Sequence, residues 1–323
     1  MTAKTHLDTL VTIFGGSGFL GRHVVRALAK KRYRIRVAVR RPDLTGYLQP
    51  LGGVGQIHAV QANLRYPPSI EAAVRGADIV INLTGILFER GRQRFDAIHH
   101  VGAEHVAQAA ALHGARLIHV SAIGADENSP SAYGRSKAAG ETAVRAALPA
   151  ATIIRPSILF GPEDDFFNRF ASLARFSPVL PLIGGGAMRM QPVFAGDVAE
   201  AIAAAVEGKA QPGAPYEFGG PDVLTFRQLM EYVLQTTGRK CLLAPLPFGL
   251  AKMQASILQF VPKPPLTPDQ VEMLRADNIV SPEAELAGRT LQGLGITPTS
   301  IAVVVPTYLW RFRKTGQFQG RAA

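Results

Sequence analysis

The chain has one cysteine, Cys241, and one tryptophan in 323 residues. A single thiol excludes an intramolecular disulfide and a multi-cysteine metal site, which fits a reducing compartment such as the cytoplasm. Acidic residues are also few, 24 Asp and Glu against 35 Lys and Arg, for a formal net charge of +11. That excess suits an acidic partner or surface; nucleic acid, anionic lipid, a phosphorylated ligand and an acidic protein face all satisfy it. Long apolar runs are missing as well. None reaches the roughly 18 residues of a membrane span, and the opening MTAKTHLDT lacks the apolar stretch of a secretory signal. The expectation is therefore a cytoplasmic protein that does not cross a bilayer. Residues 242–261 are apolar but broken by Pro245, Pro247 and Lys252. That stretch can lie peripherally against an anionic membrane surface at most, and its other reading is a buried or partner-facing helix.

What is present is enough to fold. Hydrophobic residues make up 47% and charged residues 18%, a balance that supports a sizeable core and argues against disorder. A length about twice that of one compact domain predicts a large domain with a second lobe. Short apolar runs at 10–14, 34–39, 57–62, 78–83, 116–121 and 152–155 alternate with helical patterns beginning near Gly18, Ser69, Phe95 and Tyr133. That alternation is the signature of βαβ units on a parallel sheet. The fold class predicted is α/β, a Rossmann-type doubly wound parallel sheet over 1–155, to which segments around 190–220 return. Residues 156–323, richer in Pro and Gly, form a smaller, mostly helical C-terminal lobe. No repeat at solenoid spacing is present.

The first strand runs into Gly15-Gly16-Ser17-Gly18-Phe19-Leu20-Gly21-Arg22 and a helix follows at once. Glycines in that place allow a tight turn, approach of the backbone to a pyrophosphate, and close helix-to-strand packing, while the helix N-terminus offers N–H groups to phosphate. Where a NAD site places a carboxylate at the end of the second strand, this chain has Arg40 and Arg41, with Asp43 beyond a proline. Two guanidinium groups suit a 2′-phosphate, and Arg22 is placed to help, so the cofactor expected is NADP(H).

Tyr133 and Lys137 are four apart on a predicted helix and share one face; Ser121 ends the strand before it. A phenol is a poor acid at neutral pH, and a neighbouring ammonium stabilises its phenolate. Lys137 would tune Tyr133 and hold a ribose while Ser121 orients a carbonyl or hydroxyl. The histidines at 99, 100, 105 and 113 share one helix without a carboxylate at ligand spacing, so no metal site is expected. Trp310-Arg311-Phe312-Arg313-Lys314 reads either as an interfacial anchor or as a solvated tail. No basic segment is interleaved with aromatics in a nucleic-acid-binding pattern.

These motifs, with Asn82-Leu83-Thr84-Gly85, the run from Ile154 to Pro162 and the run from Gln191 to Ala199, resemble the extended and atypical branches of the short-chain dehydrogenase/reductase superfamily. The resemblance implies a cofactor surface built from Gly15 to Arg22, Arg40, Arg41, Asn63, Leu64, Leu83, Thr84, Gly85, Tyr133, Lys137, Pro156, Ser157 and Ile158. The stretches FGPEDDFFNRFASLARFSPVLPLIGGG and PLPFGLAKMQASILQFVPKPPLTPDQVEMLRADNIVS are similar to a narrower family, the nucleotide-binding accessory subunits of respiratory complex I, alpha subcomplex subunit 9. That likeness implies tightly held NADPH, complex I subunits as partners, a structural or assembly role, and, for a bacterial relative, a seat on the cytoplasmic face of the membrane. The other reading is a working NADP-dependent reductase acting on a small carbonyl or hydroxyl compound. The enzyme pattern is departed from at His100, which stands where extended enzymes carry Asn, and at Glu217, where many sugar-nucleotide enzymes carry Asn.

Overall fold

The computed structural model describes residues 5–262, 264–314 and 316. Two compact units share the chain. The first comprises the residues up to Pro156, Ala195–Phe218 and Ser281–Thr297; the second comprises Ser157–Phe194, Gly219–Val280 and the chain from Pro298 onward.

The first unit is a seven-stranded sheet of β1 (Leu10–Phe14), β2 (Arg34–Val39), β3 (Ile57–Gln61), β4 (Ile79–Asn82), β5 (Arg116–Val120), β6 (Thr152–Pro156) and β7 (Pro215–Phe218). Every pairing is parallel, and the strand order is 3-2-1-4-5-6-7. Buried on both faces, the strands read as Val/Ile runs: Val11, Ile13, Val37, Val80 and Ile81 have no exposed surface. The crossover helices are α1 (Phe19–Lys30), α2 (Pro67–Val74), α3 (Val101–Leu112) and α4 (Ala132–Ala147). Helix α2 starts two residues before the Ser69 predicted, because Pro67 and Pro68 fit a first turn, where a missing N–H costs nothing. Near Phe95 the chain makes a π-helical turn, Asp96–His100, before α3 begins.

Helix α1 buries more than its predicted stripe of Leu20, Val24, Ala27 and Leu28, since Val25 and Ala29 are buried too. The cause is a second neighbour: α5 (Ala195–Val206), whose buried residues are mostly alanine with Val198, Ile202 and Val206, packs on α1, and Lys31 bridges to Glu207 at 2.7 Å. Small side chains permit that close approach. Cutting Leu28 to alanine would leave a cavity at a site without exposed surface and cost about 2–5 kcal/mol.

The second unit carries three two-stranded ladders and several short helices. Its core gathers Phe160, Phe167, Leu182, Phe226, Met230, Val305 and Leu309. In the segment Trp310 to Lys314, read above as an anchor or a tail, Phe312 is buried in this core while Trp310, Arg311 and Lys314 are exposed. Arg239 Nε donates to the Phe312 carbonyl (2.8 Å), and Arg313 Nε donates to the Thr236 carbonyl (2.9 Å). Tyr308 hydroxyl donates to the buried Asp164. No helix among the described residues is long and apolar enough to cross a membrane.

Candidate functional site

The order 3-2-1-4 reverses direction between β1 and β4, so the loops leaving those two strands diverge and open a crevice at their carboxyl ends. Gly15 follows β1 at φ +78°, and a Cβ there would stand 3.1 Å from the backbone of Leu83 and Thr84, the loop that follows β4. Gly21 lies in the first turn of α1, where a Cβ would come within 2.3 Å of the Gly15 carbonyl oxygen. Only glycine lets the loop and the helix close up this far. No side chain caps α1 at Gly18, so its first N–H groups are left for an anion.

At the end of β2 the structure adds a contact that the sequence did not show. The turn Pro42–Leu44 folds Asp43 back onto Arg41, whose Nε and Nη2 donate to its carboxylate at 2.9 and 2.6 Å. Arg41 is thus engaged, and Arg40 is exposed with no ion-pair partner among the described residues. Arg22 Nε donates to the Gly18 carbonyl (3.3 Å), and its guanidinium lies 5.8 Å from the centre of the Tyr47 ring. Tyr47 hydroxyl donates to the Ser17 carbonyl (2.8 Å), tying the segment after β2 to the glycine loop. Asn63 Oδ1 accepts from the Arg65 N–H (3.1 Å), which shapes the turn after β3. Leu64 is a core side chain under α3 rather than an exposed one.

At the other end Lys137 is buried, and its Nζ donates to the Val120 carbonyl (3.3 Å) and lies 5.8 Å from the centre of the Tyr133 ring. Burial pushes this ammonium down to about 8 against the pull of Glu141 one turn on. A Cβ on Gly85 would stand 3.5 Å from Lys137 Nζ, so the loop after β4 passes beside the lysine. Ser121 Oγ is buried and has no hydrogen-bond partner among the described residues. Pro156 closes β6 in the same unit. Ser157 and Ile158 fall in the second unit, where the Ser157 hydroxyl donates to Asn278 Oδ1 at 2.6 Å.

Several polar residues behind this set escaped the sequence reading. His99, not His100, takes the interior position. His99 is 1% exposed, whereas His100 sits at the surface with its Nδ1 2.8 Å from Asp96. The π-helical turn rotates the chain so that the first of the two histidines faces inward. His119 is buried in β5 opposite Asn82, whose Nδ2 donates to its Nδ1 (3.3 Å), while Asn82 Oδ1 accepts from the Thr84 N–H (3.1 Å). Two-residue strand periodicity places His119 on the same face as Ser121, and that was the available signal. Burial and the Lys137 charge press His99 down to about 2 and His119 to about 3, so both are neutral. Glu141, one turn beyond Lys137, is buried and receives Arg155 through Nε (2.8 Å) and Nη2 (2.7 Å). Arg155 also reaches Glu217 at 3.4 Å, and Glu217 Oε2 accepts from the Ser281 N–H at 2.8 Å. Glu217 is thereby an anchor that joins β7 to the returning segment.

The residues fit a nicotinamide dinucleotide on three counts. A glycine turn at positive φ leads into an uncapped helix, and Arg40 after β2 has no ion-pair partner among the described residues; the buried Ser121 hydroxyl, also without a partner among them, follows Val120, whose carbonyl holds Lys137. No group of three or more His, Cys, Asp or Glu able to hold a metal occurs among the described residues.

Comparison with known proteins agrees with this architecture. Residues 11–219 match the model of the NAD dependent epimerase/dehydratase family. Over 321 residues the chain is 38% identical to the mitochondrial NADH dehydrogenase (ubiquinone) 1 alpha subcomplex subunit 9 of Arabidopsis thaliana, covering 95% of this chain and 79% of that protein. It is also 41% identical over 174 residues to a ceramide reductase of Caulobacter vibrioides, covering 54% of each. Among solved structures, the NADPH-dependent quinone oxidoreductase QOR2 of Escherichia coli, complexed with NADPH, superposes with a TM-score of 0.72 at 19% identity, covering 93% of this chain and 99% of that one. That likeness speaks for the fold. The chain belongs to the NAD dependent epimerase/dehydratase family of short-chain dehydrogenase/reductase folds and is a homologue of complex I alpha subcomplex subunit 9.

Proposed function

We propose that this protein is an NADP(H)-holding accessory subunit of respiratory complex I, seated peripherally on the cytoplasmic face of the membrane, with a structural or assembly role. The observation that carries the reading is the 38% identity to subunit 9 across 95% of the chain, which runs through both units and not the nucleotide fold alone. The preference for the phosphorylated cofactor is supported by Arg40, exposed at the end of β2 where a NAD site has a carboxylate.

The second unit offers a surface for docking. Helix Phe248–Leu258 turns Ala251 and Ala255 inward and leaves Met253 60% and Ile257 72% exposed, with Phe260 84% exposed just beyond it. No acidic residue occurs from 242 to 268. An apolar face whose helix carries no acidic residue of its own suits a complex I subunit or an anionic membrane surface, although Glu272 reaches Lys252 on that helix at 2.9 Å. Purification of the native protein tests the reading: complex I subunits accompany it, and denaturation releases NADPH.

A reductase is the second reading, favoured by the unpaired, buried Ser121 hydroxyl and by the similarity to a ceramide reductase. Bound NADPH would supply a hydride. Ser121 Oγ donates a hydrogen bond to a substrate carbonyl oxygen, Tyr133 delivers the proton to that oxygen, and the Lys137 ammonium stabilises the phenolate left behind.

A further inference from the structure

His99 occupies a place where three pieces of the first unit converge. Its Nε2 lies 3.0 Å from the Ile86 N–H in the loop that follows β4, and its Nδ1 lies 2.9 Å from Ser136 Oγ on α4. A backbone N–H can only donate, so Nε2 is the acceptor and the ring proton sits on Nδ1, where it is given to Ser136. Ser136 Oγ in turn donates to the Tyr133 carbonyl at 2.8 Å. The imidazole stacks on Phe95 (centroids 5.4 Å apart) and meets the Tyr133 ring edge to face at 5.2 Å. Its own carbonyl oxygen presses on α4 at Gly140, where a Cβ would come within 2.0 Å.

We propose that His99 is a positioning residue, which locks the loop carrying Leu83, Thr84 and Gly85 to the helix carrying Tyr133 and Lys137 so that the two halves of the nicotinamide end keep one spacing. This rests on the nucleotide-binding reading above. A phenylalanine would keep an aromatic ring between those of Phe95 and Tyr133. It would not take the Ile86 N–H or reach Ser136, so the polar function is separable from packing. The ring is held neutral by burial, and this keeps the donor and acceptor sides fixed across the physiological range. The π-helical turn Asp96–His100 is the local device that points this side chain inward, at the cost of regular α-helical pairing.

The test uses the full chain, with NADPH and 2′,5′-ADP titrated by fluorescence and calorimetry. The second ligand carries the adenosine end and lacks the nicotinamide half. His99→Phe is expected to weaken NADPH about tenfold and to leave 2′,5′-ADP within about twofold. His99→Gln, whose amide accepts on one side and donates on the other, restores NADPH to within about threefold of the wild type. Ser136→Ala, a truncation at a half-exposed site, weakens NADPH about threefold to fivefold in the same selective way. A His99→Phe protein that binds NADPH like the wild type overturns the proposal. So does equal loss of both ligands with Ser136→Ala unchanged, because this marks general destabilisation. A wild type that binds neither ligand overturns the nucleotide reading, and the role of His99 falls with it.

Discussion

Asp43 grips the guanidinium of Arg41 through two nitrogens and leaves Arg40 alone to face whatever lies beyond β2. In the NADP(H) reading proposed above, cofactor selection rests on Arg40. Arg40→Ala is expected to weaken NADPH by about tenfold or more, the loss of one charge-assisted hydrogen bond, while NADH is unaffected. Asp43→Asn frees Arg41 and shifts the preference further toward NADPH. Parallel titrations of both cofactors check this, and an equal loss of both in Arg40→Ala would contradict it.

Tyr133 separates the two functional readings. If the protein is a reductase, Tyr133→Phe lowers kcat by about 10²–10⁴ with NADPH affinity kept within about twofold. A steady-state assay over a panel of long-chain and small ketones measures it. A wild type that binds NADPH and reduces none of them removes the reductase reading.

Acid should destabilise the first unit in a way that can be traced to single histidines. Free imidazoles titrate near 6.5, whereas His99 and His119 are pushed to about 2 and about 3. The unfolded chain thus takes up protons that the folded chain refuses. Stability is complete above 6.5 and falls as the pH drops toward 3. Each histidine contributes a slope of about 1.4 kcal/mol per pH unit between roughly pH 5.5 and 4. Denaturant unfolding across that window should show His119→Gln with a slope lower by that amount, and an unchanged slope would refute the assignment.

The carboxylate of Glu141 depends on Arg155. Removing the guanidinium leaves a buried carboxylate with only the longer, half-exposed Arg145 contact, so Arg155→Met should cost about 3–5 kcal/mol. Adding Glu141→Gln to it should recover a good part. Arg145, half-exposed and 3.4 Å from the same carboxylate, should matter far less when replaced. Equilibrium unfolding of the three variants decides the order.

Much of this was legible from residue patterns, because local signals and fold agreed. Gly15 to Gly21 between a Val/Ile strand and an amphipathic helix admits few readings, and Tyr133 and Lys137 lie together on one helix, with the lysine on the carbonyl of Val120, next to Ser121. What stayed hidden depended on rotation or on contacts distant in sequence. Helical spacing cannot tell His99 from His100 across a π turn. No local pattern shows that Asp43 folds back on Arg41, or that Glu217 reaches Ser281, 64 residues away. In the Trp310 to Lys314 segment the aromatic and basic residues look amphipathic, and no local pattern shows that Phe312 and the Arg313 Nε are engaged inside the second unit.

The most direct test of the central claim is to isolate the tagged protein from gently solubilised native membranes, identify the proteins that accompany it, and measure the nucleotide released on denaturation. The account predicts complex I subunits together with one NADPH per chain. A soluble protein that carries freely exchanging nucleotide and brings no complex I subunit with it would contradict the account.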